Sequence, residues 1–164
     1  MLRIFRSAKG LDFPALMCVY SEANSENGER EYPHEPPGLR QLLAEEDFRE
    51  YIYGSFFPTE GAFYAIWEVE GEYVAALRAE PHRDGMIIAG LESAPCHRRK
   101  GYATRLLTET AKLLKGKKIY SHVDKTNAAS LRVHEKCGFR IAQHRAVYLD
   151  GSVLPGSYTL VLEA

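Results

Sequence analysis

The stretch HRRKGYATRLL, His97 to Leu107, sets three consecutive cations directly before a glycine, where an apolar helical period begins. A helix N-terminus presents backbone N–H groups that have no partner in the chain, and its dipole favours an anion. Gly101 has no Cβ to keep a phosphate from the backbone, and Arg98, Arg99 and Lys100 add positive charge at the same place. These residues predict a site for a pyrophosphate or another polyanion, held mostly by main-chain N–H groups. They also read as an exposed turn carrying cations, since a short glycine motif alone is weak evidence. Two other phosphate sites are excluded. No Gly-Lys-Ser/Thr ending makes a P-loop, and the three set glycines of a dinucleotide fingerprint are absent.

The rest of the chain narrows the chemistry. A formal net charge of −1 gives no global reason to bind nucleic acid or an anionic membrane, so any work done by positive charge is local. Cys18, Cys96 and Cys137 are scattered, and the six histidines fall at no metal-ligand spacing, so no metal site is expected. MLRIFRSAKGLDF lacks the apolar run of a signal peptide, and no stretch has the length of a membrane span. The expectation is a cytoplasmic protein with reduced thiols. At 45% hydrophobic and 26% charged residues, with no repeat or linker, the 164 residues read as a single globular domain spanning 1–164.

The elements that must position the cations follow from periodicity. LRIFRS suits an edge strand, and DFPALMCVYSEANS (Asp12 to Ser25) suits a helix with an early proline. ENGEREYPHEPPG, acidic and broken by glycine and proline, predicts an exposed loop before a second helix from Leu39 to Phe57. The period then becomes two. FYAIWEVE places Phe63, Ala65, Trp67 and Val69 on one face, and EYVAALRAE and MIIAGLES follow after the turns EG and RDG. A helix from Tyr102 stopped by Gly116, the strand KKIYSHV, a short helix capped by Asn127 and ended by Gly138, and a final hairpin complete the order. The fold class is α/β (α+β): a mixed sheet of about six to seven strands with helices on both faces, parallel where a helix joins strands.

RRKGYA, as Arg-x-x-Gly-x-Ala, resembles the acetyl-coenzyme A pyrophosphate loop of the GNAT N-acetyltransferase superfamily. GLESAP fits the family's central strand, and NAASLRVHEKCGF resembles its last helix, whose usual pattern is Asn-x-x-(Ala/Ser)-x-x-x-Tyr-x-x-x-Gly-Phe. Both motifs stand in the family's order and separation, over Met86 to Phe139. The resemblance implies a central strand that splays from its parallel neighbour, with the pantetheine arm in the gap. Main-chain groups near Leu91, Glu92 and Ser93 would then pair with the pantetheine amides, which an open strand edge can satisfy. Arg98, Arg99, Lys100, Gly101, Tyr102, Ala103 and Thr104 would hold the pyrophosphate, and Asn127 would offer its side chain to the pantetheine end. The implied reaction is transfer of acetyl from the thioester to a primary amine. The amine must attack as the neutral base, so a general base or a desolvating pocket is needed.

Three residues are candidates for proton transfer. The family's common tyrosine acid falls on His134, seven residues after Asn127 and about 20° from it on one helix face. It reads either as a donor to the departing sulfur or as a surface histidine in the polar stretch RVHEK. His122 stands five residues before Asn127, where some ribosomal-protein acetyltransferases of the family carry a glutamate base, and alternation turns it to the same face as Tyr120 and Asp124. It reads as a base helped by Asp124 or a water, or as a hydrogen-bonded sheet histidine. Glu92, in an otherwise apolar strand beside the gap, reads as a base of raised pKa or as a paired structural carboxylate.

On the acceptor side, the acids Glu22, Glu26, Glu29, Glu31, Glu35, Glu45, Glu46, Asp47 and Glu50 either attract a cationic amine or form a solvated helix face. The expected partners are acetyl-coenzyme A and an amine acceptor, with the protein a monomer or homodimer. The alternatives are a GNAT-fold acyl-coenzyme A binding module without catalysis, and an unrelated fold whose HRRKG touches nucleic acid. Near-zero net charge speaks against the last.

Overall fold

The computed structural model describes residues 1–163. Strand β1 (Leu2–Phe5) is followed by three helices, α1 (Phe13–Val19), α2 (Ser21–Glu31) and α3 (Pro37–Tyr51), the last running into one π-helical turn at Ile52–Phe56. Next come β2 (Phe63–Val69), β3 (Glu72–His82) and β4 (Gly85–Ser93), then α4 (Tyr102–Leu113), β5 (Lys118–Asp124) and α5 (Ala128–Lys136). The chain ends in β6 (Arg140–Gln143), the short pair β7 (Ala146–Val147) and β8 (Val153–Leu154), and β9 (Ser157–Glu163). Seven strands form one sheet in the order β1-β2-β3-β4-β5-β9-β6, and β7 and β8 form a separate ribbon. β4 and β5 run parallel, joined by α4, and the other pairs are antiparallel.

A core lies on each face of the sheet. Leu106, Leu107 and Leu114 from α4 and the segment beyond it pack with Phe63, Ala65, Leu77, Ile88 and Ile119. On the opposite face, Leu16, Val19, Ile52 and Phe56 pack with Tyr64, Ile66 and Ala76. Both faces are covered over the middle of β2 and β3, so Phe63 to Ile66 and Tyr73 to Leu77 are buried without alternation. The expected one-sided pattern for β2 therefore gives way to a strand buried on both sides. Each fully buried Leu or Ile contributes about 1.5–3 kcal/mol relative to exposure.

The helices before β2 differ from the sequence expectation. The predicted single helix from Asp12 to Ser25 is two, broken at Tyr20, with Asp12 capping the first by accepting from the Ala15 N–H at 3.0 Å. The predicted loop from Glu26 is helical to Glu31. Gly28 is not a breaker there: a Cβ on it would meet the Arg40 carbonyl oxygen at 2.6 Å, so glycine lets α2 and α3 touch backbone to backbone. The turn Glu70–Gly71 has both residues at positive φ, 51° and 83°, which joins β2 and β3 tightly as expected of EG.

Candidate active site

The predicted anion loop lies between a short 3₁₀ turn, Pro95–His97, and the start of α4. Arg99 (φ 62°) and Gly101 (φ 78°) are both left-handed. Among the described residues, none of the backbone N–H groups from Arg98 to Thr104 donates to another atom of the chain. The first that does is Arg105, to the Gly101 carbonyl at 3.0 Å. An ordinary helix leaves four such groups free, and this one leaves a longer run. Nothing lies within 4 Å of where a Cβ on Gly101 would stand, so the loop is open on that side of Gly101.

The second feature is a parting of the sheet. β4 and β5 pair through Ile88–Ser121 and no further, although β4 runs on to Ser93 and β5 to Asp124. β4 remains bonded to β3, where Gly90 and Leu91 together oppose Leu77 in a bulge, with Gly90 left-handed at φ 61°. The Tyr20 hydroxyl donates to the Gly90 carbonyl at 2.5 Å and the Tyr64 hydroxyl donates to Tyr20 at 3.0 Å, fixing the bulge from below. The β5-facing edge of β4 beyond Ile88 is left without a strand partner. This gap and the α4 loop share one cleft of about 870 Å³.

That cleft brings together Leu91, Glu92, Ser93, Arg98, Arg99, Gly101, Tyr102, Ala103, Thr104 and Asn127, all of them residues that the resemblance assigns to the coenzyme. It leaves out Lys100, which is exposed, and also His122 and His134. It adds Glu26, Arg132 and Lys136. Arg132 and Lys136 were legible in principle, as cations four residues apart on the helix that Asn127 opens. Asn127 accepts from the Ser130 N–H at 3.1 Å as the N-cap, which leaves its amide N–H₂ to offer.

Glu92 and Arg98 are not free of each other. Arg98 lies 2.6 Å from Glu22 and 3.8 Å from Glu92, so the first loop cation ties α2 to the end of β4. Burial pushes the Glu92 carboxyl up, Arg98 pulls it down, and Glu22 and Glu26 push it up again, for a net rise. Glu92 is thus paired, and its proton affinity is raised.

His134 is not a surface histidine. It is 1% exposed, wedged between α5 and β5 against the Phe139 ring. Its Nδ1 lies 2.8 Å from the Ser130 carbonyl, which can only accept, so Nδ1 carries the proton. Nε2 therefore accepts from the Ser121 hydroxyl at 2.9 Å. Burial lowers its pKa, partly offset by the bond to Ser130, and the neutral ring has no N–H to spare for the cleft.

His122 lies on the other face of β5, against Tyr148 (ring centroids 4.7 Å) and His82 (5.8 Å). Asp124 does not help it: that carboxylate accepts from the Thr126 N–H at 2.8 Å and its hydroxyl at 2.6 Å. Among the described residues the buried Nε2 atoms of His122 and His82 have no partner. Burial first, then His82 and Arg83, pull His122 down to about 4. One more charged group, Arg78 on β3, lies on this face beside the bulge, with its guanidinium carbon 3.5 Å from where a Cβ on Gly90 would stand. Its only signal in the sequence was a lone cation within an apolar strand.

Comparison with known proteins points the same way. A family model described as Acetyltransferase (GNAT) family matches residues 20–139. No curated protein sequence matches the chain. Among solved structures, the PaiA N-acetyltransferase of Thermoplasma acidophilum, in complex with coenzyme A, is similar at 14% identity and TM-score 0.65, over 100% of this chain and 99% of that one. The ribosomal-protein-S18-alanine N-acetyltransferase of Escherichia coli is similar at 20% identity and TM-score 0.59, over 99% and 93%. The ribosomal-protein-alanine N-acetyltransferase of Brucella melitensis is similar at 21% identity and TM-score 0.62, over 100% and 99%. These likenesses show the fold.

Proposed function

Because this chain belongs to the GNAT acetyltransferase family, we propose that it transfers an acetyl group from acetyl-coenzyme A to a primary amine, by direct attack of the amine on the thioester. The observation that carries this reading is the run of uncommitted amides from Arg98 to Thr104 at the start of α4, open in front of Gly101 and continuous with the parted strands. Those amides suit the pyrophosphate, with Arg99, Arg132 and Lys136 supplying charge from the exposed rim. The free edge of β4 at Leu91 to Ser93 suits the pantetheine amides, and Asn127 offers its side-chain N–H₂ near by.

The coenzyme supplies an activated acyl group and a good leaving thiolate. The protein must accept a proton from the ammonium form of the acceptor. Glu92 is assigned that task, since it borders the cleft and its carboxyl is raised by burial. His122, the other base candidate, is not assigned the task, because it lies outside the cleft with its Nε2 buried and its pKa pulled down to about 4. His134 is assigned the structural task of holding α5 on β5 through Ser121. A second reading, an acyl-coenzyme A binding module without catalysis, is favoured by that one observation, the loss of the usual acid from the cleft.

A thiol-release assay over a panel of amines, with calorimetry of coenzyme A binding, tests both. Transfer to an amine supports the enzyme; tight binding with no turnover beyond thioester hydrolysis supports the module. Gly101→Asp puts a carboxylate where the phosphates belong and is expected to weaken coenzyme A binding at least 100-fold. Unchanged affinity overturns the loop assignment and the proposal with it.

A further inference from the structure

Arg78 is a cation in the wrong company. It lies partly buried on β3, over the rings of Tyr51 (5.2 Å to the centroid) and Phe48 (5.6 Å). Its polar neighbours are the hydroxyls of Tyr64, Tyr20 and Tyr51, neutral near pH 7, with Tyr64 in hydrogen-bonding reach, and the one anion beside it is Glu80, two residues along the same strand face. Among the described residues it forms no ion pair; the nearby Arg98 takes both Glu22 and Glu92. A guanidinium has five N–H donors in a rigid fork suited to a carboxylate, and burying one without an anion is costly.

Its position explains what the anion would be. Arg78 pairs with Ala89, the residue after the last β4–β5 contact at Ile88–Ser121. It therefore stands on the face of the sheet covered by α1 and the π-helical turn, at the level where the strands part, across the small Ala89 side chain from His122. Glu92 pairs with Ala76, two residues back along β3, so its side chain rises from the same face. The Gly90 bulge lies between Arg78 and Glu92, roughly 7 Å apart along the strand by backbone rise. One anion-seeking and one cation-seeking group thus flank the point where β4 turns toward the gap.

We propose that the acceptor is a zwitterion of amino-acid type, its carboxylate seated on the Arg78 guanidinium between Tyr51 and Phe48 and its amine on the Glu92 side of the Gly90 bulge. This rests on the acetyltransferase reading above and narrows its substrate. A polycation is disfavoured by the same geometry, because it would meet the unpaired Arg78 charge. The acids that drew attention in the sequence do not alter this. Glu22 is spent on Arg98, and of the nine only Glu26 borders the cleft.

The test is a comparison of matched acceptors by thiol release: the common amino acids, each against its own carboxamide, with spermidine and a doubly capped lysine peptide. At least one amino acid is expected to exceed its carboxamide by tenfold or more in kcat/KM. Arg78→Gln should bring that ratio close to one with coenzyme A affinity unchanged, and Arg78→Lys should keep part of it. The wild-type ratio needs no variant, so a misfolded Arg78→Gln does not spoil the result. Carboxamides or spermidine used as well as amino acids, no amino acid used at all, or equal slowing of both members of a pair by Arg78→Gln, each overturns the inference. Turnover of spermidine or the capped peptide alone would sink it while leaving the acetyltransferase standing. Failure to bind coenzyme A would instead sink the reading beneath it.

Discussion

His134 shows how one position can keep a motif's spacing and change its task. It falls where the family pattern has a tyrosine, yet its two ring nitrogens are occupied by the Ser130 carbonyl and the Ser121 hydroxyl. His134→Phe leaves a buried hydroxyl unpaired and is expected to cost about 2–3 kcal/mol of stability. Denaturant unfolding checks this, with kcat for the surviving folded enzyme changed less than threefold. A large kcat loss at unchanged stability would return the proton-donor role to it. The sequence could place this residue on the face of Asn127, but not foresee that a serine on the neighbouring strand would take its free nitrogen. Ser121 is one of many serines until β5 is laid beside α5. Arg78 was less legible still, since a single cation in EYVAALRAE gives no sign of lying beside a bulge in the next strand.

Elements were read best where one chain segment determines its own geometry. The Arg98–Thr104 loop, the Asn127 cap and the Gly138 stop are local events, and each stands where the sequence put it: Gly138 at φ 90°, Asn127 bonded to Ser130. Reading failed where a partner element decides. Gly28 looked like a loop residue because glycine weakens isolated helices by about 1 kcal/mol. The close approach of α3 explains it instead, and α2 runs through it to Glu31. That extension has a consequence for the site, because it carries Glu26, which borders the cleft. The parting of β4 from β5 was available only as an implication of the family resemblance. No periodicity encodes where two parallel strands stop pairing.

At the scale of the whole molecule, three histidines are held neutral by burial: His82, His122 and His134 all have lowered pKa values, with burial the largest cause. In the unfolded chain each titrates near 6.5. Their stabilisation is therefore complete above that value and is lost as pH falls toward the folded pKa, about 4 for His122. At a half-buried, solvent-screened ring the His122 shift contributes about 1–2 kcal/mol. Thermal melts from pH 7.5 to 4.5 are expected to show a falling Tm, with about 3–6 °C of the fall removed in His122→Gln. A Tm independent of pH over that range would mean that the histidines are solvated.

No helix among the described residues is long and apolar enough to cross a membrane, and no group of three metal-binding side chains comes together among them. The cleft at the start of α4 is what the account depends on. A crystal structure of the chain with acetyl-coenzyme A is its most direct test. It should show the pyrophosphate oxygens on the amides between Arg98 and Thr104, and the pantetheine between the parted ends of β4 and β5. The coenzyme bound at another surface, or those amides left facing solvent at saturating ligand, would contradict it.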